Sequence, residues 1–465
     1  MDSTRIVIVG GGAVGLSTAY HLGAMRASEV LLLERHQLTS GTSWHAAGII
    51  GPLRATLNMT QLASYAPHLF RKLEAETGQS TGYQQTGGLW LTTAQERMAE
   101  LHRIAAMGLH MGMHVEMLSP QEVVRHLPCA RTDDLAGGFW LEEDGQANPV
   151  DVCMTYAKAA RQHGVTLREN AEVTNVQRTK SGFRILLGDG SAVDCAVLIN
   201  CAGAWAPNLG RMLGAPAANQ PVQHMYVVTE PLDSAPNPFP VTRDLEFGIY
   251  LMGRGGSLVL GGFEPDAKVL DSRDPVIAQP FVELPEDWEQ FEPFMNAGLN
   301  RLPDLEHAGI QHFMNGPESF TPDTQQLMGP VPGVPGYFIA AGFNSLGIIS
   351  SAGAGRALAE WVLEGQPSFD LWGVNVARLD RHHATPGVLR ERMRESVANL
   401  MAMHWPFKQP TTARGLKRTV LHETLAQAGA VFGAAAGWER TLWFAQAEDE
   451  RQLIHTFGPQ PWWPY

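Results

Sequence analysis

At 465 residues, 44% hydrophobic and 17% charged, the chain can bury a large core, which predicts two or three domains or one large discontinuous one. Lys and Arg total 34 against 47 Asp and Glu, a net charge of −13 with no dense basic run. That balance argues against nucleic acid or an anionic membrane as the main partner. Cys129, Cys153, Cys195 and Cys201 form no CxxC pair and no Cys/His zinc spacing, so neither a disulfide framework nor a metal is expected. So few thiols, and no visible leader ahead of the first apolar strand, predict a reducing, cytoplasmic setting. Two stretches, 6–25 and 324–355, are almost or wholly uncharged. Glycines interrupt the first, and Pro330, Pro332 and Pro335 the second, so both read as buried strand–turn–helix units rather than membrane spans.

The β-branched run 5–9 predicts a buried parallel strand. It ends in a GxGxxG turn formed by Gly10, Gly12 and Gly15 around Ala13 and Val14; a helix over 16–25 and a second strand over 30–33 follow. In such a unit the first glycine permits the tight turn, the second lets backbone approach a pyrophosphate, and the third lets helix pack on strand. The helix start offers free N–H groups and a positive dipole end to phosphate. Glu34, 19 residues after Gly15, stands where a carboxylate can accept from ribose hydroxyls, which disfavours a 2′-phosphate. A dinucleotide, FAD or NAD, is the expected ligand.

The stretch 39–48, TSGTSWHAAG, resembles the sarcosine and dimethylglycine dehydrogenase family within the D-amino-acid-oxidase-like flavoproteins. Further segments are similar to that family at 78–91, 144–151, 200–205, 221–229, 315–317, 321–323 and 341–347, and 421–423 with 437–440 look closer to the sarcosine branch. The resemblance implies an α/β fold: a Rossmann-like FAD-binding domain of D-amino-acid-oxidase type and a discontinuous, mainly antiparallel β substrate domain. The cofactor pieces are expected at about 1–86, 140–215 and 310–370, the substrate domain at about 87–139 and 216–309, and a connecting domain at 371–465. It also implies FAD bonded covalently through His45. Contacts to FAD are expected from Gly10, Gly12, Ala13, Val14, Gly15, Glu34, Arg35, Gly41, Thr42, Ser43, Trp44, Ala46, Ala47, Gly48, Val173, Ala202, Gly203 and Trp205. Gly342, Phe343, Asn344, Ser345, Leu346 and Gly347 complete the set.

Locally, 172–177 alternates as a strand, 188–190 turns a hairpin, 196–200 reads as a buried strand, and Ser119 to Glu122 reads as a capping box opening a short helix. Further strands are expected at 221–229, 247–252 and 257–263, and a helix from Ile348 through Glu364 whose dipole would stabilise negative charge on a reduced flavin.

The implied chemistry is hydride transfer from a small N-methyl amino acid to the flavin, leaving an iminium that water hydrolyses. Sarcosine giving glycine and formaldehyde leads, with dimethylglycine, another N-methyl amino acid, or a non-catalytic flavin-bearing subunit as alternatives. His224 and Tyr250 are the expected catalytic residues, orienting the amine and favouring its neutral form. A buried core histidine is the competing reading of His224, since it shares a strand face with Val222, Tyr226 and Val228. Arg54 is the expected carboxylate clamp, ahead of Arg243 and Arg254. In relatives a tetrahydrofolate-binding domain follows the connecting domain, and this chain stops about where it would begin. Tetrahydrofolate is therefore not expected in this chain, and a truncated chain, a separate folate-domain partner and formaldehyde release all stay open. The electron acceptor, an electron-transfer flavoprotein or oxygen, is equally open.

Overall fold

The computed structural model describes residues 2–404 and 408–451; the aromatic tail ending at Tyr465 lies outside the described residues. The first strand, Asp2–Val9, runs parallel to Val30–Leu33 on one side, with Ile6 opposite Val30, and to Ala192–Asn200 on the other, with Val7 opposite Leu198. Its Ile6, Val7 and Ile8 are wholly buried, as a near-continuous apolar run in a parallel strand requires. Among the described residues this sheet has eight strands. The long strand Ala192–Asn200 forks it: its first half pairs antiparallel with Phe183–Leu187 across the expected hairpin, and its second half pairs parallel with Tyr337–Ala341.

The helix Ala13–Ala24 packs under this sheet against Gly347–Glu364, and glycine notches set the approach. A Cβ on Gly355 would lie 2.3 Å from Ser17 Oγ, and one on Gly353 would lie 2.2 Å from the Leu62 carbonyl oxygen in the helix Leu57–Thr77. The expected capping box is present: the Glu122 carboxylate accepts from the Ser119 N–H at 2.9 Å and opens the helix Pro120–His126.

Among the described residues a second sheet has eight strands and is antiparallel except where Val241–Asp244 runs parallel to Gly88–Thr92. It contains Gln220–Thr229, Ile249–Arg254 and Ser257–Gly262, within two residues of the expected bounds. The strand Ile310–Phe320, whose residues fall within the stretch 310–370 read from sequence as cofactor-binding, lies in this second sheet and lends Glu318 and Ser319 to the cavity described below. It bonds along its length to Gln220–Thr229, with His224 opposite Gly316 and Val222 opposite Glu318. The fully buried Arg301 ties the helix Trp288–Arg301 to the same sheet through Asp244 at 2.7 Å, and to the turn before the strand Gly137–Leu141 through Asp134 at 2.8 Å. Among the described residues, a small three-stranded sheet of Ile49–Ile50, Gln84–Gln85 and Gly145–Gln146 joins the family-like segments 78–91 and 144–151 to the two residues after 39–48.

The connecting segment packs on the second sheet: Leu389, Met393 and Val397 join Val222 and Tyr226 in one buried cluster. Arg378 grips Asp323 with two bonds of 2.7 and 2.9 Å. All four cysteines are free thiols. Among the described residues no helix is long and apolar enough to cross a membrane.

Candidate functional site

A cavity of about 760 Å³ opens where the first sheet's parallel strands end and extends to the face of the second sheet. At one end lies the glycine turn. Gly10 has φ +115°, and a Cβ there would lie 2.3 Å from the Cys201 carbonyl oxygen; one on Gly15 would lie 2.0 Å from the Gly10 carbonyl. Gly12 differs, since a Cβ on it would meet only Ser43 Oγ, at 3.0 Å, so its missing side chain leaves room in the cavity. Glu34 borders the same space, its two oxygens accepting from the Gly11 N–H at 2.7 Å and the His36 N–H at 3.0 Å. Arg35 lies over the Trp205 ring at 4.1 Å, and Val173, Ala202 and Gly203 continue this wall.

The short 3-10 turn Thr42–His45 forms the middle. Thr42 Oγ1 donates to the Pro317 carbonyl at 3.0 Å, and the His45 ring lies so close to Gly316 that a Cβ there would stand 2.8 Å from Cε1. His45 is buried, and its Nε2 has no hydrogen-bond partner. Burial and the neighbouring His224 charge pull its pKa down to about 4, so the ring is neutral at pH 7. Gly41, Thr42, Ser43, Ala46, Ala47 and Gly48 line the cavity with it.

Two expected contacts do not reach the wall. Gly15 lies behind the turn, where its role is packing. Trp44 is turned onto Phe281, edge to face at 5.8 Å, because successive side chains of a 3-10 turn point about 120° apart.

The segment 342–347 closes the opposite wall in a strained conformation, with Gly342, Asn344 and Ser345 at φ +65°, +50° and +63°. Asn344 holds it: Oδ1 accepts from the Thr321 N–H at 2.8 Å and Nδ2 donates to the Gly342 carbonyl at 2.7 Å. The helix Gly347–Glu364 then starts with its first turn facing the cavity.

At the far end stand the expected catalytic residues and two carboxylates that sequence reasoning missed. His224 Nδ1 donates to Glu264 at 2.9 Å, and His224 Nε2 lies 3.5 Å from Glu318. Burial alone would depress the imidazole; the two carboxylates outweigh it and lift its pKa to about 9. Tyr250 is buried beside it, its phenol pushed well up by desolvation, and Phe263 stacks on the His224 ring at 5.3 Å. The face shared by Val222, Tyr226 and Val228 is indeed packed. His224 is thus in a core and at the cavity wall at once.

Arg54 lines this end too. Desolvation and the like charge of Arg243 pull its guanidinium down to about 10, and Asp144 only partly offsets them. Asp144 is wholly buried and ion-paired to Arg243, which lies over Trp90 at 4.7 Å. Two guanidiniums therefore share one carboxylate, which leaves a positive charge for an anion to neutralise. Arg254 donates instead to the Ala47 carbonyl at 3.3 Å. The outer rim comes from Arg97, paired to Glu100 at 3.1 Å, and from Leu400, Met401 and His404 of the connecting segment.

Residues 5–361 match the model of the FAD-dependent oxidoreductase family, and 364–419 match that of an FAD-dependent oxidoreductase central domain. The chain belongs to the FAD-dependent oxidoreductase family. This oxidoreductase is 35% identical to human mitochondrial sarcosine dehydrogenase over 469 residues, covering 99% of this chain and 50% of that protein. It is 36% identical over 458 residues to the 4-methylaminobutanoate oxidase (formaldehyde-forming) of Paenarthrobacter nicotinovorans, covering 98% of this chain and 56% of that one. The chain thus spans about half the length of the curated relatives it matches. The solved L-proline dehydrogenase of P. horikoshii shares its fold, with a TM-score of 0.72 and 22% identity over 81% of this chain and 98% of that one.

FAD fits the wall of this flavoenzyme. The room beside Gly12, the Glu34 carboxylate and the unpartnered His45 Nε2 lie along one cavity. Glu264 and Glu318 escaped the sequence reading because a lone glutamate in a strand-rich region gives no signal. Glu318 follows directly on the family-like segment 315–317, the one hint available.

Proposed function

We propose that the chain carries the catalytic flavin site of an amine oxidoreductase that N-demethylates sarcosine or a related N-methyl glycine, giving glycine and formaldehyde in the case of sarcosine. The observation that carries this reading is the continuity of the cavity from the glycine turn to Arg54, His224 and Tyr250. When bound, FAD supplies the acceptor for the electron pair leaving the substrate. Arg54, with a charge left over beside Asp144 and Arg243, holds the carboxylate. The His224 cation opposes a second positive charge near it and so favours the neutral amine, and Tyr250 closes the pocket next to it. The cationic end of the helix dipole at Gly347 favours negative charge brought into the cavity.

Anaerobic titration with sarcosine, then dimethylglycine, then longer N-methyl amino acids tests this through the flavin's visible absorption. Bleaching by sarcosine at the lowest concentration supports the reading. Preferential bleaching by another amine reassigns the substrate. A flavin that dithionite reduces but no amine does would leave a non-catalytic subunit.

His45 is the proposed covalent attachment point, since its buried imidazole is neutral and its Nε2 is free. Wild-type protein precipitated in acid should keep its yellow colour in the pellet. His45→Ala should release all flavin to the supernatant, and release from both proteins would remove the covalent assignment.

A further inference from the structure

Resting on that reading, we propose that Glu318 is the base that takes the proton from the substrate ammonium. An aliphatic ammonium ionises near pH 10, about where lysine does, so the substrate reaches the cavity protonated at neutral pH. The nitrogen lone pair must be freed before the adjacent C–H bond can be oxidised. In the step, an N–H bond breaks, an O–H bond forms on the Glu318 carboxylate, and the electron pair stays on nitrogen; nothing else is consumed.

The neighbours of the site leave few acceptors. His224 lies between two carboxylates, hydrogen-bonded to Glu264 at 2.9 Å and 3.5 Å from Glu318, so it is an imidazolium with no vacancy for a proton. Tyr226 and Tyr250, on the strands Gln220–Thr229 and Ile249–Arg254, are phenols that burial keeps protonated. Arg54, Arg243 and Arg254 are cations, and His45 is too weak a base. Glu264 is wholly buried and does not border the cavity, whereas Glu318 does. The Ser345 hydroxyl on the segment 342–347 is close enough to Glu318 to favour its ionised form.

Burial raises the Glu318 pKa, with Glu264 adding to it; His224 and Ser345 pull it back. A carboxylate so placed is a stronger base than a solvated one and is still held ionised by its cationic neighbour.

The test is the limiting rate of anaerobic flavin reduction at saturating substrate, followed from about pH 7 to about pH 10 in the flavin-loaded protein. Glu318→Gln should reduce about 100-fold or more slowly near pH 7, and the deficit should close as the pH approaches the ammonium's own pKa. Glu318→Asp, which keeps the carboxylate, should recover part of the rate with the wild-type pH dependence, and it serves alone should the glutamine variant fail to fold. A Glu318→Gln rate equal to wild type, or lowered by one factor at every pH, overturns the assignment, as does a Glu318→Asp profile that acquires the steep alkaline rise. Wild-type flavin that no N-methyl amino acid bleaches would instead overturn the reading beneath it.

Discussion

A Gly10→Ala chain is expected to lose both its flavin and much of its stability. The new Cβ would lie 2.3 Å from the carbonyl oxygen of Cys201, and the residue would keep φ +115°. Neither problem relaxes cheaply, because the clash is with backbone held by the Gly10 N–H to Leu33 carbonyl bond of 2.9 Å and the Cys201 N–H to Val9 carbonyl bond of 2.9 Å. Overpacking and the backbone strain cost about 1–3 kcal/mol each. Gly12→Ala makes the contrast. Its Cβ meets only a serine hydroxyl at 3.0 Å and the backbone has an ordinary φ of −85°, so the chain should fold normally and lose affinity for the dinucleotide alone. Urea unfolding and the ratio of flavin to protein absorbance separate the two. Wild-type stability in Gly10→Ala would show that the turn is not the constraint described.

Removing the Arg54 charge should damage turnover while sparing the fold. If Arg54 holds the substrate carboxylate as proposed, Arg54→Met gives up a charged contact worth about 3–4 kcal/mol in a desolvated site, which corresponds to about 10²–10³-fold in kcat/KM. Its stability should hold or rise, because burial and Arg243 both oppose the Arg54 charge in the folded protein. A lower melting midpoint together with an unchanged kcat/KM would make Arg54 structural. Arg54→Lys should fall between, since it restores a charge without the planar fork.

The nucleotide half of the site was legible because its signals are local. Gly10, Gly12, Gly15 and Glu34 lie within 25 residues, and each is explained by one turn and two strands. The helix from Gly347 was readable for a similar reason, an uncharged run after a glycine-rich turn. The catalytic end was only half readable. His224 meets Glu264 across 40 residues and Glu318 through pairing of two distant strands, so its charge depends on a register that no single segment encodes. The motif at 39–48 says nothing of which way Trp44 turns, and in the structure its ring packs on Phe281. The rim at Met401 and His404 was invisible because a connecting segment offers no periodic pattern that says what it covers.

The strand Ile310–Phe320 carries more of the site than its length suggests. Gly316 backs the His45 ring, the Pro317 carbonyl receives Thr42, Glu318 faces His224, and the Ser319 carbonyl accepts the Asn344 N–H at 3.1 Å. Because strand residues alternate between faces, a one-residue insertion or deletion would exchange all these partners at once. Natural variation along it should therefore be substitution without change of length. Changes in which amine is accepted should accumulate on neighbouring elements such as Ile249–Arg254 and on the rim, where one side chain can vary without disturbing the other half of the enzyme.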